Sequence, residues 1–324
     1  MDIIKNVKEQ IEGKNIKIVF PEGEDIRILK ACTRLQEEGI IHPILLGNLA
    51  EINNTARENN VDIENLEILD MENYPERDML LDAFEERRKG KNSREECSEM
   101  LKIPNYFGTM LVHTGKASGL VSGAVNSTGD TVRPALQIIK TKPGISRTSG
   151  AMLMLGPNEE LYVFADIAIN IELEASQLAE VALCSAKTAK LFGLDPKVAM
   201  LSFSTKGSAK HELASKIEEA TKLAKELDKE LAVDGEMQFD AAISPVVAKK
   251  KAPDSKVAGQ ANVFIFPDLQ AGNIGYKIAQ RLGGFEAIGP ILQGLNKPIS
   301  DLSRGCVEED VYKIALITAA QSLQ

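Results

Sequence analysis

Histidine is scarce in this chain. The three present, His42, His113 and His211, lie far apart in sequence, so catalysis led by histidine or by a metal has little support. The four cysteines, Cys32, Cys97, Cys184 and Cys306, are scattered without a CxxC pair, which indicates neither a disulfide framework nor a zinc site. No apolar run reaches the roughly 20 residues of a membrane span. The opening Met1-Asp2-Ile3-Ile4-Lys5-Asn6 mixes acid and base where a secretory leader would be apolar, so a cytoplasmic protein is expected. A Walker lysine motif and a GxGxxG are absent too, leaving nucleotide hydrolysis and dinucleotide binding without their signatures. Positive charge is in deficit: the formal net charge is −9, a surface that repels anions and argues against general nucleic-acid binding. An anionic substrate would have to be drawn by local arginines and helix N-termini.

What remains is an ordinary globular balance, 44% apolar and 26% charged over 324 residues, long enough for two domains. Ile16–Phe20, Pro43–Leu46 and Leu66–Leu69 read as short apolar strands, with helical spacing over 25–38 and a polar helix between the second and third strands. From Glu76 to His113 the pattern is mainly helical, and Gly119–Val125 reads as a buried strand followed by a helix from Thr131 to Lys140. Strand and helix in alternation predict an α/β fold with mostly parallel sheets covered on both faces. Beyond Lys142-Pro143-Gly144 the apolar strands lengthen (Met152–Leu155, Leu161–Phe164, Val198–Leu201), which places a domain boundary there. Residues 208–231 predict a long helix whose Lys and Glu form a solvated face, and Asn262–Pro267 with Leu269–Leu282 adds another strand and helix. The expected domains are 1–144 plus 297–324, the last helix (308–322) returning to the first domain, and 145–296.

Three segments carry candidate chemistry. Lys297-Pro298-Ile299-Ser300-Asp301-Leu302-Ser303-Arg304-Gly305-Cys306, leading to Asp310, gathers a hydroxyl, a guanidinium, a thiol and a carboxylate just before the final helix. Arginine beside serine suits a tetrahedral oxyanion, the planar fork gripping two oxygens while the hydroxyl supplies a third bond. A nearby acid can serve as general base, although Glu308, Glu309 and Asp310 also suit a helix N-terminus on electrostatic grounds alone. Cys306 has no histidine near it in sequence and reads as structural. The second segment is Asn126-Ser127-Thr128-Gly129-Asp130-Thr131-Val132-Arg133-Pro134, where Ser127, Thr128, exposed N–H groups and Arg133 suit an anion; an N-cap with a surface arginine is the plainer reading. The third, Glu86-Arg87-Arg88-Lys89-Gly90-Lys91, is either a solvated helix end or a phosphate contact.

Taken together, these segments resemble the phosphate acetyltransferases (phosphotransacetylases), as do Phe20-Pro21-Glu22-Gly23 and Lys140-Thr141-Lys142-Pro143-Gly144. The resemblance runs through the whole chain in the order and length of the short, single-unit form. It implies two αβα domains flanking a cleft, similar to the isocitrate and isopropylmalate dehydrogenases, and commonly a homodimer. The implied reaction is reversible acetyl transfer between acetyl phosphate and coenzyme A, with inorganic phosphate as the third partner and no metal or redox cofactor. By motif, Ser303, Arg304 and Asp310 match the family's catalytic group. Arg87 and Arg133 match its coenzyme A phosphate contacts, with Arg88 adjoining Arg87. A butyryl-preferring relative, a metal-dependent dehydrogenase of the same fold and a non-catalytic anion-binding protein are the competing readings.

Overall fold

Strands as apolar as Ile16–Phe20 cannot tolerate water on either face, and the structure, a computed structural model describing residues 3–324, buries them between helices. Met1 and Asp2 of the opening segment lie outside the described residues. The described residues form two compact units: residues 141–294, and both flanks together, 3–140 with 295–324.

The flanking unit begins α1 (Ile3–Ile11), β1 (Ile16–Phe20), α2 (Ile26–Glu37), β2 (Ile41–Leu46), α3 (Leu49–Glu58) and β3 (Glu67–Leu69). It continues α4 (Arg77–Arg88), α5 (Arg94–Met100), α6 (Pro104–His113), β4 (Gly119–Ser122), α7 (Thr128–Pro134) and a π-helical turn, Ala135–Ile139. The 141–294 unit follows: β5 (Ser149–Leu155), β6 (Leu161–Ala165), α8 (Ala175–Leu191), β7 (Lys197–Leu201), α9 (Glu212–Leu227) and β8 (Ala232–Met237). Its remaining elements are α10 (Phe239–Ile243), α11 (Pro245–Lys251), β9 (Val263–Ile265), α12 (Leu269–Gly283) and β10 (Glu286–Gln293). The chain then re-enters the flanking unit as β11 (Ile299–Asp301) and α13 (Glu308–Gln321).

The flanking unit's sheet runs β11-β4-β1-β2-β3 and every pair is parallel. The other unit's sheet, β10-β5-β6-β9-β7-β8, is parallel except where β5 meets β10 and β6. The expected α/β class with mostly parallel sheets is therefore what forms. Helix α13 is buried along most of its length and packs on α1, α2 and β4. Tyr312 fastens it there, donating to Glu38 Oε2 at 2.6 Å beneath the Arg34 guanidinium, 3.6 Å from the ring centroid.

Some expected bounds shift for identifiable reasons. Gly119–Val125 is strand only to Ser122, because Gly123 turns out of the sheet at φ +111°. The helix expected from Thr131 starts earlier, at Thr128. Pro134, which lacks an N–H, hands over to the π-helical turn instead of continuing an α-helix to Lys140. The 208–231 helix is confined to Glu212–Leu227, capped by the His211 ring accepting from Leu213 N.

Candidate active site

In open parallel sheets, ligands gather at the carboxyl ends of the strands. Here β11, β4 and β1 are neighbours, so the loops that leave them emerge side by side: 302–307, 123–127 and 21–25. Two charged side chains from the β1 exit fasten the other two loops. Glu22, buried, accepts four backbone N–H groups: Gly123 and Ala124 on Oε2, both at 2.9 Å, and Val125 and Asn126 on Oε1, at 3.0 and 2.7 Å. Arg27, in the first turn of α2, donates through Nη2 to Ala124 O (2.8 Å), and through Nη1 to Arg304 O (2.9 Å) and Cys306 O (3.0 Å). Its own counter-ion is Asp25, bound by Nε and Nη2 at 2.9 and 2.7 Å. Burial pushes the Asp25 carboxyl up, but Arg27 outweighs it and holds the group below the usual aspartate value.

The donors that the sequence assigned to an anionic ligand are thus partly committed inside the chain. The four amides just before α7 serve Glu22. Ser127 gives its hydroxyl proton to Asp130 Oδ2 at 2.7 Å, and the same oxygen accepts from the Ser127 N–H at 3.2 Å. Thr128 gives its own to Asp301 Oδ2, also at 2.7 Å. Asp301 ends β11 with 2% of its surface exposed, and its Oδ1 has no hydrogen-bond partner. That oxygen lies over Gly123, where a Cβ would stand 2.6 Å away, so any larger residue there would collide with it. The Thr131 hydroxyl, also buried and unpartnered, is close enough to bear on the carboxyl.

Burial is the main influence on Asp301. It outweighs the Thr128 and Thr131 hydroxyls and acts with the charge of Glu22 to push the carboxyl up to about 6 from an ordinary 3.8. The folded chain therefore holds this proton more tightly than the unfolded one. The resulting stability is present below about pH 4 and lost as pH rises to about 6. Asp301→Asn should accordingly melt with the wild type near pH 4 and above it at pH 8; equal melting at both would show the carboxyl ionising normally.

Ser303 and Arg304 are exposed on the β11–α13 loop, and Asp310 sits exposed at the start of α13. The structure brings all three to one strand exit. Gly305 N donates to Ser303 Oγ at 3.3 Å, and Asp310 Oδ2 caps α13 by accepting from Val307 N at 2.9 Å. No ion pair holds the Arg304 guanidinium among the described residues, while its backbone carbonyl is held by Arg27. Cys306 is buried, its Sγ 3.6 Å from Arg27 Nη1. Burial, ahead of the opposing Arg27, pushes the thiol up and away from thiolate.

Arg133 and Asn126 line a cavity of about 510 Å³ at the β1 and β4 exits, with Ile103, Tyr106, Val125 and Pro134 as apolar wall. Arg87 lies elsewhere, in the last turn of α4, donating from Nε to Ile138 O (2.5 Å) and from Nη2 to Ile139 O (3.1 Å) at the end of the π-helical turn. Arg88 bonds Asn92 at 2.8 Å. The surroundings of Arg87 are electropositive. Lys140 is held below the usual lysine value by Arg87 first, then by burial, Lys91 and Arg88. His113 is lowered by burial, then by Arg87, Lys297 and Lys140. Among the described residues no group of three or more His, Cys, Asp or Glu could hold a metal ion, and no helix is long and apolar enough to cross a membrane.

Sequence reasoning gave no role to Glu22, Arg27 or Asp301. Two of them left a signal: charged residues flanking a strand end as apolar as Ile-Val-Phe-Pro-Glu and Ile-Ser-Asp are placed for burial, where a charge needs partners.

The family model described as phosphate acetyl/butaryl transferase matches residues 2–319. A phosphate acetyltransferase of Staphylococcus epidermidis is 59% identical over 329 residues, covering 100% of this chain and 99% of the relative. The crystal structure of a phosphotransacetylase from Streptococcus pyogenes superposes with a TM-score of 0.97 at 58% identity, over 99% of this chain and 98% of that one. A 4-hydroxythreonine-4-phosphate dehydrogenase from Burkholderia phymatum, at 12% identity and a TM-score of 0.56 over 95% of this chain and 98% of that one, shares the fold alone. With the strand-exit loops bearing Ser303, Arg304 and Asp310 on a chain matched from end to end, the protein belongs to the phosphate acetyl/butaryl transferase family.

Proposed function

We propose that this chain transfers acetyl reversibly between acetyl phosphate and coenzyme A, by direct attack of the coenzyme A thiolate in a ternary complex. The observation that carries the catalytic assignment is the Arg304 guanidinium, exposed and, among the described residues, without an ion-pair partner, on a loop whose backbone Arg27 holds at two carbonyls. Asp310 takes the thiol proton. A thiol of pKa about 8.5 is only a few per cent ionised at neutral pH, so a positioned base speeds attack. Ser303 hydrogen-bonds the charge developing on sulfur or on the carbonyl oxygen. Arg304 grips the phosphoryl group and then the departing phosphate. Cys306 stays outside the chemistry, consistent with its buried, upshifted thiol.

Arg133, beside the cavity, and Arg87, in its electropositive surroundings, are the proposed contacts for coenzyme A phosphates. Ser127 and Thr128 stand there at the start of α7, with both hydroxyl protons and the Ser127 N–H committed to carboxylates. No cofactor is invoked; coenzyme A is a substrate. Residues 1–144 with 297–324, and 145–296, are the proposed domains. A homodimer is also proposed, supported by Ile274, Ile278 and Leu282, an exposed stripe at helical spacing along α12; sedimentation at the mass of one chain would dismiss it.

The test is to mix purified protein with coenzyme A and acetyl, propionyl or butyryl phosphate and follow thioester. Acetyl phosphate should give the highest kcat/KM, and Cys306→Ala should keep most of the rate. A preference for butyryl phosphate would reassign the acyl group. An inactive, folded Cys306→Ala with an isolable acetyl-enzyme would replace direct attack by a covalent route.

A further inference from the structure

Ser303 and Arg304 stand on one strand exit and Arg133 on the next, so the two arms must keep a fixed separation if they hold one substrate pair. Arg27 and Glu22 secure the loop backbones but do not reach α7, the helix that carries Arg133. A direct side-chain bond makes that link: Thr128 Oγ1, at the first residue of α7, to Asp301 Oδ2, two residues before Ser303. The next residue, Leu302, is pinned to β4 by its N–H on Ser122 O at 2.7 Å. Asp301 is almost wholly enclosed, its second oxygen seated over Gly123 with no partner. An enclosed carboxyl held by Thr128, with the Thr131 hydroxyl of the same helix beside it, has little freedom to adjust, so a shift of α7 is transmitted to the strand that delivers Ser303 and Arg304.

We propose that Asp301 is a positioning residue for acyl transfer, holding through Thr128 the helix of Arg133 in register with the loop of Ser303 and Arg304. This rests on the reading of that loop as catalytic. Asp301 touches neither substrate. Its effect falls on turnover, because a displacement of about 1 Å between reacting groups costs on the order of a hundredfold.

The test compares Asp301→Ala, Asp301→Asn, Thr128→Val and the double variant Thr128→Val/Asp301→Ala, with kcat, both KM values and melting temperature measured for each. Asp301→Ala and Thr128→Val should each lower kcat roughly ten- to a hundredfold with KM values changed only a few fold. The double variant should be no worse than the poorer single, as for two ends of one interaction. Asp301→Asn, whose amide oxygen still accepts from Thr128, should recover most of the rate. Should Asp301→Ala fail to fold, Thr128→Val decides the matter, since its site is exposed. Wild-type kcat in Thr128→Val, or losses that multiply in the double variant, would overturn the positioning role. A wild-type chain that makes no thioester would overturn the functional reading instead.

Discussion

Arg304→Ala is expected to lower turnover by roughly a hundredfold or more, the usual loss when a charge-stabilising group is removed from an acyl-transfer site, and to leave melting almost unchanged. The separation follows from where the residue is held. Its guanidinium is exposed and anchors nothing among the described residues, so deletion falls within about 0.5 kcal/mol in stability, as for other surface positions. Its carbonyl still accepts from Arg27, so the loop keeps its shape. Asp310→Asn should behave similarly, losing on the order of a hundredfold as a missing general base. The asparagine oxygen can still cap Val307 N. Activity assays paired with melting curves check both, and near wild-type rates in either folded variant would remove that residue from the mechanism.

The second large effect falls on stability. Glu22→Ala leaves four backbone donors without their acceptor, two on Gly123 and Ala124 in buried surroundings. Each orphaned buried donor costs about 1–3 kcal/mol. The total should be roughly 3–5 kcal/mol, lowering melting by about 10 °C for a unit of this size. Glu22→Gln should fare little better despite its matched shape, because its NH2 faces two of those four N–H donors. Thermal denaturation checks this. A Glu22→Gln variant melting with the wild type would mean that the carboxylate does not hold the loop.

Much of this was legible in the chain. The parallel sheets follow from runs such as Ile16–Phe20 and Val198–Leu201, too apolar to face water on either side. The loop of Ser303 and Arg304 stood out because a hydroxyl, guanidinium and thiol are crowded before a helix. Other features were hidden because they depend on contacts distant in sequence. Glu22 reaches its four amides across about a hundred residues, and Asp301 meets Thr128 across 173. Nothing local marks either pairing. Arg87 shows the same limit, since a cation in a charged helix end gives no sign that the carbonyls of Ile138 and Ile139 lie within its reach. Helix α8 went unpredicted because its small residues, Ala175-Ser176 through Ala186 and Ala189, are buried on several sides and blur the one-sided pattern that betrays α9.

The reading of the strand-exit loops as an acyl-transfer site meets its most direct test in thioester formation by the purified wild-type chain given acetyl phosphate and coenzyme A without added metal. Acetyl-coenzyme A should appear with stoichiometric release of inorganic phosphate, at a rate that Arg304→Ala reduces by roughly a hundredfold or more. A folded wild-type chain that forms no thioester, or an Arg304→Ala chain that forms it as fast, would contradict that reading.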